Sequence, residues 1–164
     1  VSIPVLRKDF TINPYMIYQA KAYGASAILL ICSILDDAEL HDYMQLADEL
    51  HLDVLTETHS AGEIERAVNA GARIIGVNNR NLKTFEVDVE NSRRLRELAP
   101  RDALFVSESG IRTAEDIRAL YENGTDAVLI GETLMRANDK RAILNELTHL
   151  LPKEPLEEKN HEQD

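Results

Sequence analysis

Short apolar runs recur along the chain, each followed by a stretch with helical spacing. The runs occupy 4–6, 27–32, 54–55, 73–77, 103–106 and 127–130. They are near-continuous rather than alternating, as expected of parallel strands covered by helices. Helix starts are well marked. Asn13-Pro14 reads as an N-cap with proline at the first helical position. Ser60-x-x-Glu63 reads as a capping box, and Thr113-x-x-Asp116 resembles one with the shorter acid. The clearest amphipathic face is Leu40, Tyr43, Met44, Ala47 and Leu50. A weak repeat runs through "YGASAILLI", "AGARIIGVN" and "NGTDAVLIG", each with a glycine three or four residues before a strand. That glycine is the left-handed stop of the preceding helix. Repeated helix–glycine–strand units mean a barrel or a doubly wound sheet.

The ends of the runs separate these two architectures. Reading each run to its C-terminal end gives Lys8-Asp9, Ser33, Glu57, Asn78, Ser107-Glu108-Ser109-Gly110 and Gly131-Glu132. A doubly wound sheet gathers its site at one switch point, whereas a barrel collects side chains from many strand tops. The barrel fits better. Side-chain parity agrees: Leu6 shares a face with Lys8, Leu55 with Glu57, Ile74 and Gly76 with Asn78, and Leu104 and Val106 with Glu108. On each strand an apolar or small residue lies below a polar one. The expected fold is therefore α/β, of the (β/α)8 TIM-barrel family, present as an incomplete barrel of about six βα units. A complete barrel has eight, and the missing two are expected to precede Val1, which is not a start methionine. The barrel domain is expected over 1–151. The acidic, proline-containing 152–164, "PKEPLEEKNHEQD", reads as a disordered, solvated tail.

Composition narrows the function classes. The chain has 164 residues, 44% hydrophobic and 29% charged, which suits one globular domain with a real core. Eighteen basic against twenty-nine acidic residues give a net charge of −11, which argues against nucleic acid and anionic membrane as partners. A small anion remains compatible, because local backbone N–H groups can outvote global charge. No apolar run reaches the ~18–20 residues of a membrane span, and no signal peptide is visible. Cys32 is the only cysteine, so no internal disulfide can form, and a cytoplasmic location is the natural expectation. The histidines show no ligand spacing, so no metal site is expected. Both common nucleotide loops, G-x-G-x-x-G and G-x-x-x-x-G-K-[ST], are absent.

Several residues carry candidate chemistry. "VSESGI" and "IGETLM" place small residues directly after the last two strands, with a helix following each. Loops in this position of a barrel often bind phosphate through backbone N–H groups; the bland alternative is two ordinary strand-to-helix turns. Lys8, inward at a strand top, reads as a proton donor or anion clamp, or else as a surface lysine paired with Asp9. Glu57 and Glu108 point into one mouth from different strands. Like charges there push one pKa upward while a lysine between them pulls back, which suits acid–base work near neutral pH. Glu57 is favoured for proton transfer and Glu108 for support. His59 lies two residues after Glu57 and could face the same mouth, but it also precedes a helix cap and is read as a loop histidine; Cys32 reads as packing. "IIGVNNRNLKTF", 74–85, ends an apolar strand on Asn78-Asn79-Arg80-Asn81. Either the asparagines supply left-handed turn conformers, or the strand ends at a mouth that holds a polar ligand.

"PVLRKDF", "LTETH", "IIGVNNRNLKTFEVD", "VSESGIRTAED" and "AVLIGETLMR", in this order, resemble indole-3-glycerol phosphate synthase. The resemblance covers about residues 4 to 136, and "GVNNRNLKTFEVD" is its most specific piece. It implies a TIM barrel that closes, decarboxylates and dehydrates 1-(2-carboxyphenylamino)-1-deoxyribulose 5-phosphate in tryptophan biosynthesis, without a cofactor. By motif match Lys8 resembles the general acid of ring closure and Glu57 the proton-transfer glutamate. Asn78 and Glu108 look like polar site residues, with Arg80 in the loop nearby. Ser109, Gly110, Gly131 and Glu132 would lie at the phosphate, mainly through backbone N–H groups, and Phe10 would border the aromatic ring. The family's first strand contributes a glutamate and a lysine that nothing here matches. Thr56 and Thr58 replace the more usual valines.

Two other readings compete with this one. An inactive phosphate-binding or assembly piece would use its open edges to pair with another chain. A different phosphate-binding barrel enzyme, such as a sugar-phosphate isomerase, fits the Lys8, Glu57 and Asn78 set poorly. The full-length form is expected to be a monomer, whereas six strands of eight leave unpaired edges on which the present chain can self-associate.

Overall fold

The computed structural model describes residues 1–81 and 84–151. Strands and helices alternate: β1 (Leu6–Arg7), α1 (Pro14–Ala22), β2 (Ala27–Ile31), α2 (Asp37–Glu49), β3 (Asp53–Thr58), α3 (Ala61–Asn69), β4 (Ile74–Asn78), α4 (Glu90–Leu95), β5 (Leu104–Glu108), α5 (Ala114–Glu122), β6 (Ala127–Leu129), α6 (Glu132–Arg136) and α7 (Lys140–Thr148). The six strands form one sheet in the order β1-β2-β3-β4-β5-β6, and every neighbouring pair is parallel. Sequential order leaves no point where the winding reverses, so the sheet is an arc of barrel wall rather than a doubly wound sheet. The expected tail, 152–164, lies outside the described residues.

The local signals act where they are written. The Asn13 side chain accepts the N–H of Tyr15 at 2.9 Å and Pro14 opens α1. Thr113 and Asp116 form a reciprocal box, as do Asp36 and Glu39, which the sequence reading did not single out. Ser60 caps α3 through the N–H of Glu63, but the Glu63 carboxylate reaches back to the N–H of His59 at 2.6 Å instead of that of Ser60. The expected box is thus only half formed. Gly24, Gly71 and Gly124 take φ of +81°, +90° and +79° at the ends of α1, α3 and α5, the left-handed stops that the repeat predicts.

Strand parity sorts the core into two layers. Ile28, Leu30, Ile75, Val77 and Phe105 are fully buried between the sheet and its helices, each contributing roughly 1.5–3 kcal/mol of apolar burial. Leu29, Ile31, Leu55 and Val106 form a smaller cluster on the inner face, with Leu6, Ile74 and Leu129 packed against it. Leu40, Tyr43 and Ala47 bury the predicted face of α2, and Met44 and Leu50 pack beside them. Cys32 is fully buried in the same cluster, and burial pushes its thiol up to about 12. Ile130 packs with Val128 on Ile111, Ile117, Leu120 and Leu147, on the helix side of the sheet. The edge strands are short: two residues in β1 and three in β6.

Candidate active site

Parity carries Glu57 onto the inner face. Thr56 and Thr58 turn outward, and the Thr58 hydroxyl donates to the Gly76 carbonyl at 2.9 Å. Leu55 and Glu57 turn inward, Glu57 only 2% exposed and Glu108 only 1%. Gly76 lies beside Glu57 in register and makes room for the Glu108 carboxyl, since a Cβ there would stand 2.2 Å from Glu108 Oε1. The Lys8 ammonium reaches both acids, 3.5 Å from Glu57 Oε2 and 3.8 Å from Glu108 Oε2. Asp9 pairs with Arg7 instead, at 3.4 Å. That removes the surface-pair reading of Lys8.

The two carboxyls differ in their surroundings. Asn78 donates its amide to Glu57 Oε1 at 3.1 Å. Both Glu108 oxygens are shut off from solvent and accept no hydrogen bond from the described residues. Burial, then the charge of Glu57, pushes the Glu108 carboxyl from 4.5 up to about 7, with Lys8 and His59 pulling against them. A buried acid that holds its proton near neutrality, beside an ammonium and a second carboxyl, is equipped for general acid–base work.

The asparagines at and after the end of β4 supply no left-handed conformers. Among the described non-glycine residues only His51, Phe85 and Ser109 take positive φ, so Asn78, Asn79 and Asn81 do not. Asn78 faces the acids, and its carbonyl oxygen accepts the Arg80 N–H at 3.0 Å. Asn79 faces the other way: its oxygen accepts from the Ser92 hydroxyl at 2.7 Å and its amide donates to Ser107 at 3.1 Å. It is a buried structural pin for the loop. The left-handed-turn reading therefore fails for both residues: Asn78 lies at the acid cluster, and Asn79 is a structural pin.

Beside the acids a cleft of about 710 Å³ runs between the loops after β5 and β6, lined by Lys8, Arg80, Ser109, Gly110, Gly131, Glu132 and Arg136 among others. Ser109 and Gly110 take successive φ of +67° and +81°. A Cβ on Gly110 would stand 2.3 Å from Val87 Cγ1, so glycine is required there twice over. Gly131 precedes the first turn of α6. Glu132 is exposed, and its carboxylate is held by Arg80 and by Arg136, each at 3.0 Å; Arg136 first, then Arg80, keep it below the usual carboxylate range. Phe10, 59% exposed, borders a small recess with Lys8, Leu29, Ile31, Glu57 and Asn78.

The structure thus brings Lys8, Glu57, Asn78 and Glu108 into one cluster. It places Arg80, Ser109, Gly110, Gly131 and Glu132 around the adjoining cleft and Phe10 at the rim. Two neighbours went unassigned from sequence. Gly76 carried a legible signal, a glycine inside a strand where something approaches closely. His59, read as a loop histidine, carried one in its two-residue spacing from Glu57: its Nε2 lies 3.5 Å from Glu57 Oε1 and its Nδ1 3.4 Å from Glu63 Oε2.

Sequential parallel βα units, with an apolar inner layer below a charged cluster at the C-terminal rim, define this as part of a (β/α)8 barrel. Solved barrels agree in fold. The 3-hexulose-6-phosphate synthase of Salmonella typhimurium superposes with a TM-score of 0.74 at 14% identity, over 89% of this chain and 72% of that one. A chain of the tryptophan synthase α2β2 complex of Pyrococcus furiosus gives 0.70 at 14%, over 92% and 67%. The chain belongs to the indole-3-glycerol phosphate synthase family, whose model matches residues 1–147. The Indole-3-glycerol phosphate synthase of Ruminiclostridium cellulolyticum is 62% identical over 90% of this chain and 56% of its own length. That of Lachnoclostridium phytofermentans is 55% identical over 92% and 56%. The chain spans about half the length of these curated relatives.

Proposed function

We propose that this segment supplies most of the active site of an indole-3-glycerol phosphate synthase acting on 1-(2-carboxyphenylamino)-1-deoxyribulose 5-phosphate. One observation carries the reading: an ammonium between two buried carboxyls, one raised to about 7, at the mouth of a cleft bounded by two glycine-containing strand-to-helix loops. The sugar phosphate would rest on the backbone N–H groups of Ser109, Gly110 and Gly131, with the aromatic ring toward Phe10.

The chemistry then falls to the cluster. As the carboxylated ring carbon attacks the ketone carbon, Lys8 protonates the ketone oxygen. The carboxyl leaves as CO₂ and its bonding electrons restore the aromatic ring. In the dehydration Glu57 takes the proton from the adjacent ring carbon, while Glu108 protonates the departing hydroxyl as water. Asn78 holds the Glu57 carboxylate in place throughout.

The test is product formation by a full-length protein that carries this segment, followed as indole-3-glycerol phosphate and CO₂. A folded full-length protein that fails to turn over the substrate overturns the reading. In a structure with a substrate analogue, a phosphate bound away from Ser109, Gly110 and Gly131 removes that part of it.

A further inference from the structure

Glu57 and Glu108 are both buried and both near Lys8, at 3.5 and 3.8 Å, so the lysine hardly distinguishes them. Something else must decide which acid is ionised. On Glu57 Oε1 alone two further groups converge: the Asn78 amide at 3.1 Å and His59 Nε2 at 3.5 Å. The other ring nitrogen of His59 lies 3.4 Å from Glu63, whose carboxylate is fixed because it also accepts the His59 N–H at 2.6 Å. The imidazole therefore lies between two carboxylates at ion-pair distance, with both ring nitrogens closed to solvent and making no aligned hydrogen bond among the described residues. Two carboxylates flanking a ring that water does not reach favour the imidazolium over the neutral ring.

Resting on the function proposed above, we infer that His59 is a positioning residue: braced as a cation by Glu63, it keeps Glu57 ionised and so assigns the base role to Glu57 and the acid role to Glu108. The charges that face the ring agree. Glu57 on β3, Glu63 on α3 and Glu108 on β5 all favour its cationic form, and Glu86 and Asp88 border the polar hollow of about 670 Å³ beside it. Lys8 lies on the far side of Glu57. The Glu63 contact is the largest influence raising the ring above its ordinary value, against burial. Burial pulls Glu63 upward, but the bonds from the His59 ring and backbone outweigh it and hold it low.

The sign follows. A base loses activity as falling pH protonates it, and removing a neighbouring cation makes protonation easier. In full-length protein, His59→Asn should move the acid limb of the kcat profile upward by roughly one pH unit, with KM little changed. Glu63→Gln keeps an oxygen to accept the His59 N–H but loses the charge, and should move the limb the same way by less. Superimposable profiles in both variants overturn the proposal. Nitrogen NMR of the ring decides the charge without turnover: wild-type His59 should remain doubly protonated at pH 7, and a neutral ring there overturns it. An inactive wild type with a doubly protonated His59 would sink the synthase reading and leave the charge assignment standing. Should His59→Asn fail to fold, Glu63→Gln carries the kinetic arm.

Discussion

The site stands on two kinds of strand. Glu57 and Glu108 rise from β3 and β5, which pair on both sides. Lys8 follows the edge strand β1 and Gly131 follows the edge strand β6. Lys8 keeps 42% of its side chain exposed, whereas the acids keep 2% and 1%. Interior strands desolvate what they carry, so their carboxyls compete for protons and charges. Edge strands leave their groups in water, where the same Coulomb energies are screened several-fold. The interior half is thus built ready, and the edge half depends on what covers it.

The largest expected effect comes from leaving the edges uncovered. The isolated 164-residue polypeptide should show no measurable synthase activity and should associate, since β1 and β6 offer unpaired backbone beside exposed Ile3, Val5, Ile12 and Leu104. Light scattering with a product assay checks this, and a monomer that turns over substrate breaks the comparison. Next, in full-length protein, Lys8→Ala and Glu57→Gln should each lower kcat by at least ~10²-fold. Equal losses from an edge and an interior residue would show that the rest of the full-length protein dries out Lys8 as well. Asp9→Asn should matter far less.

Gly76→Ala should follow at up to ~10²-fold in kcat, the cost of a misplacement of about 1 Å at a reacting group. Its Cβ meets the end of the Glu108 side chain, which can swing aside, so melting temperature should fall little. A large drop in stability with full activity would mean that Gly76 serves the sheet and not the site.

The smallest effect is on stability and isolates the interior strands. Burial raises Glu108 from 4.5 to about 7, so between those values the folded state keeps a proton that the unfolded chain has released. Stability must fall as pH rises through that window. Glu108→Gln, uncharged throughout, should gain on the order of 3 kcal/mol over wild type above pH 7 and nothing near pH 4. Denaturant melts of full-length protein at both pH values test it; a gain at pH 4 alone reverses the sign.

Much of this was legible in the chain. The apolar runs match the strands to within a residue or two, except that 54–55 understates β3, which continues through Thr56 to Thr58. Those threonines look polar, yet both are fully buried on the outer face. Ile130 closes the run 127–130 but follows the end of β6 at Leu129, and its parity puts it outward with Val128. Lys8, Glu57, Asn78 and Glu108 were legible as strand-end residues of matching parity. His59 was legible only as a residue spaced to face the mouth with Glu57; its contact with Glu63 was not, since a histidine before a cap looks the same whichever way its ring turns.

By itself the sequence determined the order of βα units, the stops between them and the face on which each strand-end side chain lies. Those follow from period, caps and glycine, which act over a few residues. Only the tertiary structure decided that Lys8 meets Glu57, forty-nine positions away, that Gly76 makes room for Glu108, and that of the two buried acids Glu108 is pushed up to about 7. Those outcomes turn on ångström distances and on the exclusion of water, which arise once distant strands stand side by side.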